Sequence, residues 1–229
     1  MEYCYFSENM NNEYMCLSKY KRIYIGEEFC DRFFLKNMHL IEKAIDIYNP
    51  MYSVSIVLPL INEESLLQTE QFISRIILKY GNEIEFVCND IGTLRYLMGI
   101  NGKIVAGRLL TRTIISYLID KNDTLGLSNY ISRVELDSTN FKWIRMLKRY
   151  KVSYYNFYSI LGISNNRCCF KMLNKASKLI CTYNCQDKNY SITNRYLEDR
   201  FILVRNAILH ESDAAALPSI IDRIINVTI

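Results

Sequence analysis

Cys168, Cys181 and Cys185 are spaced C-x12-C-x3-C. With Cys30 they make four thiols, the usual number for an iron–sulfur cluster and a set that also suits zinc. The competing reading makes Cys30 and Cys169 small buried apolar side chains. Cys169 also adjoins Cys168, and spacing alone does not decide which of the two would be a ligand. Histidine is nearly absent, at His39 and His210 only. That leaves little for a catalytic triad or a His-rich zinc site. His39 reads as a packed or solvated helix residue. His210-Glu211 would be an acid–base pair only if adjacent side chains pointed the same way.

A second group of polar residues follows short apolar runs. Asn89, Asp90 and Gly92 follow Glu83–Cys88, Gly107, Arg108 and Arg112 follow Lys103–Ala106, and Asp137 follows Arg133–Leu136. Asn89, Asp90, Arg108, Arg112 and Asp137 are therefore candidate substrate-binding residues on one rim, where arginines would grip an anion or a carboxylate. Each has a plainer role. Asn89-Asp90 can start a helix, Asp137 can cap one, and the arginines can pair with Asp90 or Asp137.

The elements that must position these residues alternate. Arg22–Gly26, Ser53–Leu60, Glu83–Cys88, Lys103–Ala106 and Arg133–Leu136 read as buried strands, and Val152–Ile160 as a sixth, Tyr-rich one. Amphipathic stretches separate them, including a helix from Asp137 or Ser138 through Trp143 and Leu147. Residues 164–194 read as polar and irregular, Phe201–Val204 as a late strand, and Leu217–Ile225 as a closing helical stripe. Strand–helix alternation implies parallel strands with helical crossovers. The expected fold is α/β: one domain over residues 1–229, a β/α barrel-like fold, either closed or an incomplete or distorted TIM-type barrel. Residues 1–20 read as an N-terminal extension of uncertain role.

Half of the 229 residues are apolar and 23% are charged, which is enough to bury a core and excludes a disordered chain. The net charge of +4 is spread along the chain and does not argue for nucleic acid. No apolar run approaches the ~18–20 residues of a membrane span, and no secretory signal is visible. A cytoplasmic location is expected, where eight cysteines would stay reduced or bind metal.

Four segments, in order, carry a resemblance. Tyr24–Phe34 (YIGEEFCDRFF) resembles the "Y-L-G-E-x-x-C" segment of the UbiV-like branch of the collagenase-like peptidase superfamily. Val87–Leu97 (VCNDIGTLRYL) and Val105–Thr113 (VAGRLLTRT) resemble that branch's "N-D-x-G-x-L-R-x-L" and "G-R-L-L-x-R" blocks. Arg205–Ser212 followed by Ile220–Val227 resembles its tail pattern, with Arg205 in place of a glycine. The cysteine spacing is similar too. The resemblance implies a 4Fe–4S cluster on Cys30, Cys168, Cys181 and Cys185, with zinc or no metal as alternatives. It also implies oxygen-independent hydroxylation of an aromatic small molecule or an RNA base, alongside a UbiU-like partner protein. The peptidase branch's glycine- and cysteine-containing signature is absent, so proteolysis does not carry over. A non-catalytic peptide- or RNA-binding module is the second reading, and a divergent collagenase-like peptidase relative the third.

Overall fold

The computed structural model describes residues 1–7, 19–163, 168, 181, 183, 185, 189–194, 197–212 and 217–228. Seven parallel strands come first: β1 (Glu2–Ser7), β2 (Arg22–Gly26), β3 (Ser53–Val57), β4 (Glu85–Cys88), β5 (Lys103–Ala106), β6 (Ile131–Leu136) and β7 (Lys151–Asn156). Helices α1 (Asp31–Tyr48), α2 (Glu63–Tyr80), α3 (Ile91–Gly99) and α4 (Arg108–Leu118) connect β2 through β6. The chain then leaves the barrel for β8 (Tyr158–Ile163), β9 (Asn189–Asn194), β10 (Leu197–Val204) and β11 (Ala207–Glu211). These four form an antiparallel sheet in the order β8-β11-β10-β9. Finally β12 (Ile221–Thr228) pairs with β1 on one side and β7 on the other, closing an eight-stranded barrel of TIM type.

Strand alternation divides the apolar residues into two layers. Outward-facing Ile23, Ile25, Val54, Ile56, Phe86 and Val134 pack against Phe34, Ile41 and Ile45 of α1, Phe72 and Ile76 of α2, and Leu110 and Ile114 of α4. Inward-facing Cys4, Phe6, Tyr24, Val87, Val105, Tyr155 and Ile225 fill the barrel. Gly26 has a φ of 134°, and any side chain there would strike the Val57 carbonyl, so β2 can lie against β3 only with glycine at its end.

The N-terminal end of the barrel is closed by charge. Arg223 donates to Glu85 Oε2 at 2.9 Å and to Glu2 Oε2 at 2.7 Å. Arg22 donates to Glu2 Oε1 at 3.2 Å and lies 3.0 Å from Glu85 Oε2. Burial would raise the Glu85 pKa, but Arg223 and Arg22 outweigh it and hold the carboxyl down to about 2. Above this layer, Tyr24 accepts from Arg223 and donates to Glu135 Oε1 at 2.8 Å.

Five elements differ from the sequence expectation, one of them β9, a strand within the stretch 164–194 read as irregular. Glu2–Ser7, within the stretch read as an extension, forms a barrel strand. Leu217–Ile225 is not a closing helix: its Ile221 and Ile224 face the helical layer while Arg223 and Ile225 face inward, as in a strand. A spacing of four satisfies both periodicities, an irregularity in the pairing between Ile221 and Arg223 brings Ile221 and Ile224 to one face despite their spacing of three, and the β-branched side chains favour the strand. Val152–Ile160 is two strands, because Phe157, with a φ of 75°, turns the chain out of the barrel between them. The helix from Asp137 is only a 3-10 segment, Phe141–Met146. Among the described residues, no helix is long and apolar enough to cross a membrane.

Glu135 generates a prediction. Burial, with Glu28 adding to it, pushes its carboxyl up to about 8 against Tyr24's opposing hydrogen bond. The folded chain therefore keeps it protonated between about 4.5 and 8, where the unfolded chain ionises it. Fewer protons are then bound in the unfolded state, so stability falls with rising pH by about 1.4 kcal/mol per unit in that window. Glu135→Gln should lose this slope and gain on the natural chain between about pH 5 and pH 8 in urea titrations. Parallel profiles would show that Glu135 is ionised in the fold.

Candidate functional site

The C-terminal mouth of the barrel is covered by the antiparallel sheet. Ile160, Val204, Ala207 and Leu209 of the sheet pack on Phe29, which follows β2, and on Leu109, which follows β5. At the centre of this junction lies Arg108, 1% exposed. Its Nε and Nη2 donate to Glu28 Oε1 and Oε2, each at 2.7 Å, and its Nη1 donates to the Tyr158 carbonyl at 2.6 Å. Its guanidinium stands 4.1 Å from the centre of the Tyr155 ring. Burial opposes the charge, but Glu28 and Asp137 more than restore it, so its pKa is raised.

The candidate rim residues converge here, apart from Asp90. Asp137 is fully buried and lies 3.7 Å from Arg108 Nη1. It accepts from Arg112 at 2.7 Å and from the backbone N–H groups of Thr139 and Ile160. Asn89 is also buried; its amide donates to the Leu58 carbonyl at 2.9 Å and accepts from Leu109 N–H at 3.3 Å. Gly107 is required beside it, since a side chain there would overlap the Asn89 amide. Asp90 caps α3, accepting from Thr93 N–H at 2.8 Å, and burial raises its carboxyl against that bond. Of the five, Asp90 and Arg112 keep partial exposure. Glu28, the residue that pairs Arg108, carries no sequence signal beyond its place just past a strand end.

The thiols form a second centre beside this junction. Cys30 precedes α1, where it lies just ahead of the first helical residue. Cys185 is buried against Leu203 of β10, with Cys168, Ile192 and Ile208 packed around it. Burial pushes the Cys185 thiol up, and charge on Cys168 and Cys181 adds to this, while Arg205 opposes it. Cys30 is pushed up to about 12 by burial and by Glu27, with a further contribution from Cys185. Tyr183, between Cys181 and Cys185, lies under Lys36 of α1, its ring centre 4.3 Å from Nζ. The described cysteines are free. Among the described residues, no group of three or more His, Cys, Asp or Glu side chains is arranged to hold a metal ion. The four thiols thus share one neighbourhood without the contacts of a formed ligand set. Cys169 lies outside the described residues.

The remaining candidates separate. His39 is exposed on α1, and the His210 ring packs on Phe201 at 5.6 Å. His210 and Glu211 are consecutive on β11, so they point to opposite faces.

The chain matches no family model, and comparisons with curated proteins and with solved structures find no similar protein. The fold and the Arg108 junction therefore stand on their own geometry.

Breaking the Arg108–Glu28 pair from one side leaves a buried charge alone. Arg108→Met should cost about 3–5 kcal/mol in urea titrations, and the double change Arg108→Met/Glu28→Gln should cost less than Arg108→Met. A double variant less stable than either single one would count against the pair as the organising contact.

Proposed function

We propose that the chain is an iron–sulfur protein similar to the UbiV-like branch, in which Cys30, Cys168, Cys181 and Cys185 hold a 4Fe–4S cluster. The observation that carries this reading is Cys168 packed beside Cys185 and Leu203, with Cys181 and, from the barrel rim, Cys30 within electrostatic reach of Cys185. The donor chemistry fits: four sulfurs, free of disulfides, with the Arg205 charge acting on Cys185. When bound, such a cluster supplies single electrons. Four thiolates leave no iron site open, which favours electron transfer over direct binding of substrate to iron.

The covered mouth bears on the division of labour. Arg108, Asn89 and Asp137 are buried, with Glu28, Arg112 and the backbone as partners, so Asp90 and Arg112, which keep partial exposure, are the rim candidates open to an aromatic substrate or an RNA base. The proposal accordingly gives this chain the electron-carrying part of an oxygen-independent hydroxylation. A related partner, UbiU-like in the sense of the resemblance, would hold the reacting molecule.

The test is anaerobic purification from iron-replete cells, with iron and acid-labile sulfide measured per chain. About four of each are expected, and Cys181→Ala should lose most of both. A folded, colourless, iron-free chain would end this reading. Zinc in that sample would assign the thiols to a structural site, and no metal at all would leave a peptide- or RNA-binding module.

A further inference from the structure

Arg205 occupies the two-residue turn between β10 and β11, where Val204 pairs with Ala207. Its φ is 51°, a left-handed backbone that glycine adopts freely and arginine does not. Such strain persists only where the surroundings enforce it. Here the side chain supplies the reason. The Arg205 guanidinium is 4% exposed and lies 2.8 Å from Glu27 Oε2. It also stacks 4.2 Å from the centre of the Phe33 ring. The other oxygen of Glu27 accepts the backbone N–H groups of Phe29 at 2.9 Å and Cys30 at 3.2 Å. One carboxylate therefore joins Arg205 of the sheet to the backbone of Cys30 on the barrel. Two residues before Arg205, Leu203 packs against Cys185.

We infer that Arg205 is a positioning residue of the thiol site, holding its barrel half and its sheet half in register through Glu27 and placing a positive charge where the two halves meet. This rests on the iron–sulfur reading and adds to it a determinant of the cluster's reduction. A 4Fe–4S cluster on four thiolates gains one negative charge when its core is reduced by one electron. A nearby cation favours that reduced form and a nearby carboxylate disfavours it. Arg205 and Glu27 should then push the potential in opposite directions, although each supports the same local structure.

The experiment is an anaerobic titration of the reconstituted protein with dithionite, following the reduced cluster by electron paramagnetic resonance. Arg205→Gly relieves the backbone strain, so the turn should survive, and its midpoint potential should move to a more negative value. Glu27→Gln keeps an acceptor for the Cys30 N–H and should move the midpoint to a more positive value. Arg205→Lys, which keeps the charge, should lie between Arg205→Gly and the natural chain. Thermal melts check that each variant is folded, and Arg205→Gln replaces the glycine variant if that one is not. Shifts of the same sign in the arginine and Glu27 variants, or no shift in either, would overturn the inference while leaving the cluster in place. A natural chain that takes up no iron and sulfide would overturn the inference together with the reading beneath it.

Discussion

A guanidinium buried at the mouth of a barrel cannot be left without partners; the cost would run to several kcal/mol. Arg108 meets that constraint by drawing on four separate parts of the chain. Glu28 comes from the end of β2, Asp137 from the end of β6, the Tyr155 ring from β7, and the Tyr158 carbonyl from the start of the antiparallel sheet. Satisfying one side chain therefore fixes the spacing of the rim and the seat of the sheet together. The same geometry takes Asn89, Arg108 and Asp137 out of contact with solvent, and it moves attention from the barrel axis to the thiols at its side.

The two ends of the barrel handle charge in different ways. At the N-terminal end Glu2, Arg22, Glu85 and Arg223 form a compact network with matched signs. Between that network and the mouth, Glu135 is buried without a cation in hydrogen-bond contact, and a proton replaces the missing counter-charge. At the mouth, Glu27 and Glu28 are adjacent in sequence and serve different centres. Glu28 holds Arg108 on the axis, while Glu27 holds Arg205 beside the cysteines.

The middle of the fold was readable because each strand from β2 to β5 is a short buried run and each following helix repeats its apolar residues on one face. Reading failed where a pattern serves two periods, as in Ile220–Val227, or where one backbone angle divides a continuous run, as at Phe157. β1 was missed because Glu2–Ser7 alternates between layers and is too short to stand out alone. The cysteines were visible from spacing. The charged pair at the barrel mouth is not, because Glu28 and Arg108 meet across 80 positions of sequence, and no local pattern records such a pair. For Asp137 the sequence offers a rim ligand, a helix cap or a partner for the arginines; the structure pairs it with Arg112 and with the backbone of Thr139 and Ile160.

The place of β12 sets an order for building the molecule. This strand must lie between β1 and β7, the first and seventh strands of the barrel. On a ribosome, the barrel therefore stays open until Ile221–Thr228 has been made, with the backbones of β1 and β7 exposed as unpaired edges. The antiparallel sheet is already complete in sequence by then, and its β10–β11 and β9–β10 pairings are short in range, so it can form first. Closure then joins residues from opposite ends of the described chain, the slowest kind of contact to find. For the nascent chain, the interval between making β7 and making β12 is the period of greatest exposure to edge-to-edge aggregation and to chaperones.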